Sequence, residues 1–323
     1  MNTTAIVVRE TGGPDVLTPA EIDVPDAPGP GQVLLDVAYA GVNYMDVYGR
    51  DGTYPQRLPW VPGAEGSGRV VAVGADVTGV APGDRVAWEG VPGSYAARLV
   101  APADRLLPVP DALTDARAAA LPLQGLTAHY LATDSYAIRP GDTVLVHAGA
   151  GGAGLLLTQI AKILGATVLT TVSTPEKAEI SRAAGADHVL GYDDFDARAR
   201  ELTDGRGVHA VYDGVGRATF DRSLDAVRRR GTLVLFGGSS GPVPPVDPMR
   251  LSKGGSLFLT RPTLRHFADD RDEYLSRYRD LLSWIAEDRL HLRIHGEYPL
   301  AEAARAHRDI SGRATVGKLL LRP

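Results

Sequence analysis

The chain has 323 residues, 44% of them hydrophobic and 23% charged, enough for two ordinary domains with a sizeable buried core. Its net charge of −5 and its lack of any cysteine exclude a basic nucleic-acid-binding protein, a disulfide scaffold, a thiolate nucleophile and a cysteine-ligated zinc centre. No apolar run reaches the length of a membrane span, and the start has no basic-then-apolar leader, so a cytoplasmic enzyme without membrane partners is the default expectation.

Residues 1–123 read as β-rich. Short apolar runs, Val33–Ala40, Gly68–Val73, Arg85–Trp88 and Tyr95–Val100, alternate with turn signals at Pro28–Gly31, Ala81–Asp84 and Val91–Gly93, the pattern of a barrel-like or sandwich-like domain. From residue 124 the rhythm changes. Predicted strands Thr143–Ala148, Thr167–Val172, His188–Leu190, Ala210–Tyr212 and Thr232–Phe236 are separated by predicted helices 153–164, 175–184, 194–203 and 217–229. Such alternation predicts an α/β domain with a doubly wound parallel sheet. Gly165 and Gly185 suit helix ends and Pro175 a helix start. The basic run Arg228–Arg230 is expected at the close of its helix, where cations meet the negative end of the dipole.

An edge strand Ser256–Thr260 follows, then a charged helix from Arg271 to Asp288 with Tyr274, Tyr278, Leu281, Leu282 and Ile285 on one stripe. A helix Leu300–Ile310 and a strand Lys318–Leu321 finish the chain. These last pieces cannot bury a core alone and are expected to return to the first domain. The division expected is therefore 1–123 with 265–323, and 124–264.

The strongest local motif is Gly149-Ala-Gly151-Gly152-Ala-Gly154, directly after a predicted strand and opening a helix. In that context Gly149 permits the tight turn, Gly151 lets the main chain approach a pyrophosphate, and Gly154 allows the helix to pack closely on the strand. The N–H groups at Gly152 and Ala153 then face the anion along the helix dipole. The tip of the second strand selects the dinucleotide. A carboxylate there would hold the ribose 2′-hydroxyl of NAD; this chain has Ser173, Thr174 and, one helical turn on, Lys177. Two hydroxyls and a cation suit a 2′-phosphate, so NADPH is the expected cofactor.

Taken in order, a set of motifs supports a resemblance. Gly41-Val-Asn-Tyr-Met-Asp46, Pro62-Gly-Ala-Glu-Gly-Ser-Gly68, Pro82-Gly-Asp-Arg-Val86, Gly125-Leu-Thr-Ala128, His147–Gly154, Tyr212-Asp-Gly-Val-Gly216, Phe236-Gly-Gly-Ser-Ser-Gly241 and Thr260-Arg-Pro262 run nearly end to end. The chain resembles the zinc-free quinone oxidoreductases, the zeta-crystallin-like branch of the medium-chain dehydrogenases/reductases. The resemblance implies a GroES-like β-rich catalytic domain made of both chain ends, a Rossmann domain inserted between, and a homodimer. Zinc-dependent relatives carry a His-Glu pair where this chain has Ala64-Glu65, so no metal is expected.

The resemblance also implies roles. An acceptor in the cleft between domains would lie near Asn43, Tyr48 and Gln124, with the Asn43 amide and the Tyr48 phenol as donors to a carbonyl oxygen. Thr127, Tyr130 and the Phe236-Gly237 turn would line the nicotinamide. Val215, Thr260 and Arg261 would approach the cofactor, and Ser173, Lys177, Tyr192 and Arg313 the adenosine phosphate. The activity implied is direct hydride transfer from NADPH to a quinone; reduction of an enone C=C is the neighbouring chemistry. A nucleotide-binding structural or sensing protein is the alternative of another class.

Overall fold

In the computed structural model, which describes residues 1–323, the chain forms two units: 1–123 with 292–323, and 124–291. The first is built around the strand Gln32–Val42. One of its edges pairs antiparallel with Glu65–Val73. The other edge is shared, by Arg98–Pro102 along residues 32–36 and by Lys318–Arg322 along residues 40–42. Irregular register between Leu34 and Leu35, and between Val37 and Tyr39, adds the local twist that lets one strand serve three partners. Ile294–Pro299 continues the sheet beyond Lys318–Arg322, while Arg85–Glu89 and Leu106–Pro108 continue it on the far side of Glu65–Val73. Val33, Leu35, Val70, Val86, Trp88 and Leu99 fill one apolar cluster of this unit; Ile6, Val8, Tyr95, Leu319 and Leu321 belong to another.

The long strand runs straight into a helix, Tyr44–Asp51, that the hydrophobic pattern did not announce. Its signal was polar. The Asp46 carboxylate reaches back to accept from the N–H of Asn43 at 2.8 Å, and Gly52 ends the helix at φ +87°. Asn-x-x-Asp followed by glycine is a helix start and stop written in side-chain hydrogen bonds rather than in periodicity.

The second unit is a six-stranded parallel sheet. Its order is His188–Leu190, Thr167–Thr171, Thr143–Val146, Val208–Asp213, Val227–Leu235, Phe258–Thr260. This is the 3-2-1-4-5-6 order of the Rossmann fold, with its switch point between Thr143–Val146 and Val208–Asp213. Val144, Leu145 and Val146 are fully buried, as parallel strands covered on both faces must be. Helices Gly152–Ile163, Pro175–Ala183, Phe195–Glu201 and Phe220–Ala226 connect the strands. Gly165 and Gly185 follow two of these helices at φ +87° and +101°. The Thr174 hydroxyl accepts from the N–H of Lys177 at 3.3 Å at the start of Pro175–Ala183.

Two expectations need correction. The helix predicted to run to residue 229 ends at Ala226, and Arg228–Arg230 lie in the strand Val227–Leu235. Buried Val227 pairs with Val208, the register then slips, and Arg230 takes φ +57° before Gly231. The basic run therefore forms an irregular strand entry and does not complement a helix dipole.

The second correction is the division at residue 265. Residues 265–291 belong with the parallel-sheet unit, because polar and aromatic contacts hold the helix Arg271–Ala286 there. Arg277 donates to Asp134 at 2.8 Å, His129 meets Asp280 at 3.0 Å, and Tyr130 stacks on Phe267 at 4.3 Å. Gln159 exchanges two hydrogen bonds with the main chain of His291, at 2.8 and 3.1 Å. A hydrophobic stripe says that a helix will pack; it does not say against which unit.

Candidate active site

The glycine-rich turn leaves the strand Thr143–Val146 through His147 and Ala148, and Gly152 opens the helix. Ala148 adopts φ +53°, costly for any residue with a Cβ, and its carbonyl accepts the N–H of Gly151 at 2.8 Å. The glycines are required by space. A Cβ on Gly154 would lie 2.2 Å from the Ala148 carbonyl oxygen, and one on Gly149 would lie 2.6 Å from Thr170. The first N–H groups of the helix, from Gly152 and Ala153, have no intrahelical acceptor and point toward any anion on the turn.

Around this turn the carboxyl ends of the strands bring together most of the residues singled out in the sequence. Gln124, in the first turn of the helix Pro122–Tyr130, lays its carboxamide over Gly152, where a Cβ would come within 2.3 Å of Oε1. Thr127 lies half-buried one turn along the same helix. Tyr130 is buried, and burial pushes its phenol well above the usual range despite the nearby Arg261 guanidinium. Arg261 follows Thr260 at the end of the edge strand and donates to the Phe236 carbonyl at 3.1 Å.

The two turns beyond the central strands are laced together. Phe236 N–H donates to the Asp213 carbonyl at 2.9 Å, and Ser240 N–H to the Val215 carbonyl at 2.8 Å. A Cβ on Gly214 would sit 2.8 Å from the Phe236 ring, and one on Gly237 2.6 Å from the Gly214 carbonyl. Val215, Phe236 and Gly237 thus belong to one rigid wall. At the other end of the site Ser173 and Thr174 are exposed, Lys177 is partly exposed, and the Tyr192 hydroxyl accepts from the N–H of Ala148 at 3.2 Å. Arg313 lies in the other unit, just past the helix Ala303–Ser311, at φ +57°.

In the β-rich unit, Asn43 and Tyr48 have different surroundings although one caps and the other lies on the same helix. Asn43 is 4% exposed. Its amide donates to Glu65 Oε2 at 2.9 Å and to the Gly41 carbonyl at 3.3 Å, and its oxygen accepts from Lys318 at 2.8 Å. Both amide hydrogens are committed inside the unit. Tyr48 is half-buried between the rings of Tyr44 and Tyr54, at 5.4 and 5.0 Å.

Behind Asn43 runs a buried polar network whose partners sequence reasoning did not join. Lys318 pairs with Glu65, both essentially inaccessible to solvent. Glu65 Oε1 accepts the N–H of Leu123 at 2.8 Å. Asp46 accepts from the Tyr95 hydroxyl at 3.1 Å, Tyr95 meets His307 Nε2 at 3.1 Å, and Arg50 meets His307 Nδ1 at 3.3 Å. Burial raises the Asp46 carboxyl to about 6 and, with the Arg50 charge, lowers His307 to about 3. The one available signal was Glu65 itself, a carboxylate in an otherwise small and apolar run.

Comparison with known proteins places these features. The family described as "Zinc-binding dehydrogenase" matches residues 152–287, and "Alcohol dehydrogenase GroES-like domain" matches residues 29–111. A quinone oxidoreductase of Pseudomonas aeruginosa is 42% identical, covering 97% of each chain. A 2-haloacrylate reductase of a Burkholderia species is 41% identical over 99% of this chain and 98% of its own. The structure of an Escherichia coli quinone oxidoreductase complexed with NADPH is 39% identical, covers 99% of this chain and 100% of that one, and has a TM-score of 0.96.

The zinc in the first family's description does not fit this donor set. The chain has no cysteine, no three His, Asp or Glu side chains converge, and Glu65 is already paired with the Lys318 ammonium, whose charge would repel a dication on the same carboxylate. With end-to-end identity to proteins named quinone oxidoreductase and both halves of the matching fold in place, the chain belongs to the quinone oxidoreductase branch of the medium-chain dehydrogenase/reductase family.

Proposed function

We propose that the chain is an NADPH-dependent quinone reductase that passes hydride directly to its acceptor without metal or flavin. The observation that carries this reading is the nucleotide-facing end of the Rossmann unit, a glycine turn at the switch point beside a second-strand tip with no carboxylate. Ser173, Lys177, Tyr192 and Arg313 would hold the 2′-phosphate and adenosine, and Gly151 to Gly154 the pyrophosphate. Thr127, Tyr130, Val215, Phe236, Gly237, Thr260 and Arg261 would position the nicotinamide. When bound, NADPH supplies the hydride.

On the acceptor side, Tyr48 is the donor we assign to the carbonyl oxygen that gains charge, with Gln124 as a second polar group. The first expectation for Asn43 is revised. With both amide hydrogens engaged, its part is to fix the start of the helix that carries Tyr48, and the contact to the acceptor passes to the phenol.

NADPH oxidation is measured with simple quinones, enones and 2-haloacrylate in parallel, and with NADH in place of NADPH. Fast turnover of quinones with NADPH supports the reading. The identity to a 2-haloacrylate reductase favours one alternative, reduction of a conjugated C=C, and preference for those acceptors would establish it. Binding without turnover would instead indicate a sensing or structural protein. Lys177→Glu should weaken NADPH about tenfold or more while sparing NADH, since a hydrogen bond to a charged group contributes about 1.5–3 kcal/mol. We also propose a homodimer through the edge strand Phe258–Thr260, whose Phe258 is 61% exposed, and a cytoplasmic location. No helix is long and apolar enough to cross a membrane.

A further inference from the structure

One line of buried side chains crosses the carboxyl ends of the three central strands of the Rossmann unit, and neither the hydride chemistry nor the nucleotide contacts above use it. It starts at Asp213. One carboxylate oxygen accepts from the N–H of Val215 at 2.8 Å and the N–H of Gly216 at 2.9 Å, the other accepts from the Ser223 hydroxyl at 3.1 Å, and the single Thr219 hydroxyl hydrogen is shared between the two, at 2.9 and 2.8 Å. Ser223 lies 2.9 Å from His147 Nε2, and His147 Nδ1 lies 2.8 Å from the Thr171 hydroxyl. The Thr171 oxygen is 3.4 Å from the N–H of Ala148. Asp213, Ser223, His147 and Thr171 are all buried.

The directions of these bonds are fixed by counting hydrogens. Ser223 has one, and the carboxylate takes it, so the serine oxygen must accept from His147 Nε2–H. A neutral ring then has a bare Nδ1, which accepts the Thr171 hydrogen, and the Thr171 oxygen is left to accept from Ala148. Burial favours the same state, since it lowers His147 to about 4 although Asp213 opposes the shift.

The two ends of the line matter for binding. At one end, Asp213 shapes the turn that carries Val215. At the other, the N–H of Ala148 is shared between Thr171 and Tyr192, and Gly149 N–H donates to the Thr171 carbonyl at 3.0 Å. These bonds hold a left-handed alanine at the entry of the phosphate-binding turn.

We propose that His147 is a positioning residue for the nucleotide: as its neutral Nε2–H tautomer it fastens the phosphate-binding turn to the Asp213–Gly216 turn, so that both ends of the dinucleotide meet a single preset surface. The inference rests on the NADPH reading above. Its test has two independent arms.

Nitrogen-15 NMR of the nucleotide-free protein reads the tautomer directly between about pH 6 and about pH 8. The expected result is a protonated Nε2 and a bare Nδ1 throughout; a proton on Nδ1 alone, or a charged ring, overturns the proposal. Calorimetric titration with NADPH is the second arm, beside the quinone KM. His147→Phe keeps the ring that packs edge-on against Phe195 at 4.7 Å and removes both nitrogens. It should raise the NADPH Kd about tenfold and leave the quinone KM unchanged, and His147→Gln, which keeps a donor within reach of Ser223, should recover most of the loss. Wild-type NADPH affinity in His147→Phe, or equal losses in Kd and KM, overturns the proposal. If His147→Phe does not fold, Thr171→Val deletes the donor to Nδ1 with little change of shape, and wild-type affinity there has the same force. A wild-type chain that ignores NADPH would defeat the proposed function instead, and the tautomer would still decide whether the line is built as described.

Discussion

Each unit buries a chain of polar side chains, and the two chains are made of different materials. In the Rossmann unit the line Asp213–Ser223–His147–Thr171 carries one carboxylate and otherwise hydroxyls and an imidazole. In the β-rich unit the network holds Lys318, Glu65, Asp46 and Arg50, with Asn43, Tyr95 and His307 between them. A dipole chain fixes geometry and little else. A buried ion network also stakes stability on every partner, because removing one leaves another charge without compensation.

The largest effect should therefore come from the β-rich unit. Lys318→Met strands the Glu65 carboxylate and should cost about 3–5 kcal/mol, read as a drop in the denaturant midpoint. Adding Glu65→Leu should recover much of it. If Lys318→Met unfolds like the wild type, the ion pair is idle and the contrast between the units fails.

Acid titration reads both networks, and in the β-rich one Asp46 and His307 pull in opposite directions. Asp46 holds its proton more tightly folded than unfolded, so its share of stability is present below about pH 4 and is lost as pH rises through about 6. His147 and His307 work the other way. Folded, they resist protonation down to about 4 and about 3, so stability falls as pH drops below the ordinary histidine range. In Asp46→Asn the compensating slope disappears, and unfolding free energy should fall more steeply than wild type between about pH 6 and about pH 4, by an amount on the order of 2–3 kcal/mol. Parallel curves for variant and wild type would count against the raised Asp46 carboxyl.

Tyr48→Phe tests whether the β-rich unit contributes chemistry as well as scaffold. Single-turnover NADPH oxidation with a saturating simple quinone should slow about tenfold, less than loss of a donor to a concentrated oxyanion, because a quinone spreads its charge. NADPH affinity should not change. An unchanged rate would leave acceptor polarisation to another group. The smallest effect is expected at Ala148→Gly, where relief of the left-handed backbone and the added freedom of the unfolded chain nearly cancel, for a net change within about 0.5 kcal/mol.

The same contrast explains what the sequence disclosed. The Rossmann unit was legible because its signals are local: apolar strands, glycines at fixed offsets and a second-strand tip without a carboxylate all lie within short windows. Even there, the end of the helix before Val227 was misplaced, because the pull of a buried valine into the sheet outweighed a dipole argument about Arg228–Arg230. In the β-rich unit the informative contacts are distant. Glu65 and Lys318 are 253 residues apart, and Arg50 and His307 are 257 apart, so no spacing rule joins them. Asn43 read as a donor for an acceptor, because an exposed amide and an amide spent on Glu65 and Gly41 are identical as letters. The helix Arg271–Ala286 was assigned to the wrong unit for the same reason.

The interleaving of the two units along the chain bears on synthesis. Residues 124–291 are contiguous, so the nucleotide-binding unit can complete its sheet as soon as its own stretch clears the ribosome. The β-rich unit cannot. The strand Lys318–Arg322 fills the edge beside residues 40–42, and the ammonium that Glu65 requires is made 253 residues after the carboxylate. Until then Glu65 has reason to stay in water and the N-terminal sheet to stay open. The β-rich unit is therefore the last to close, because both its edge strand and the partner of its buried carboxylate come from the end of the chain.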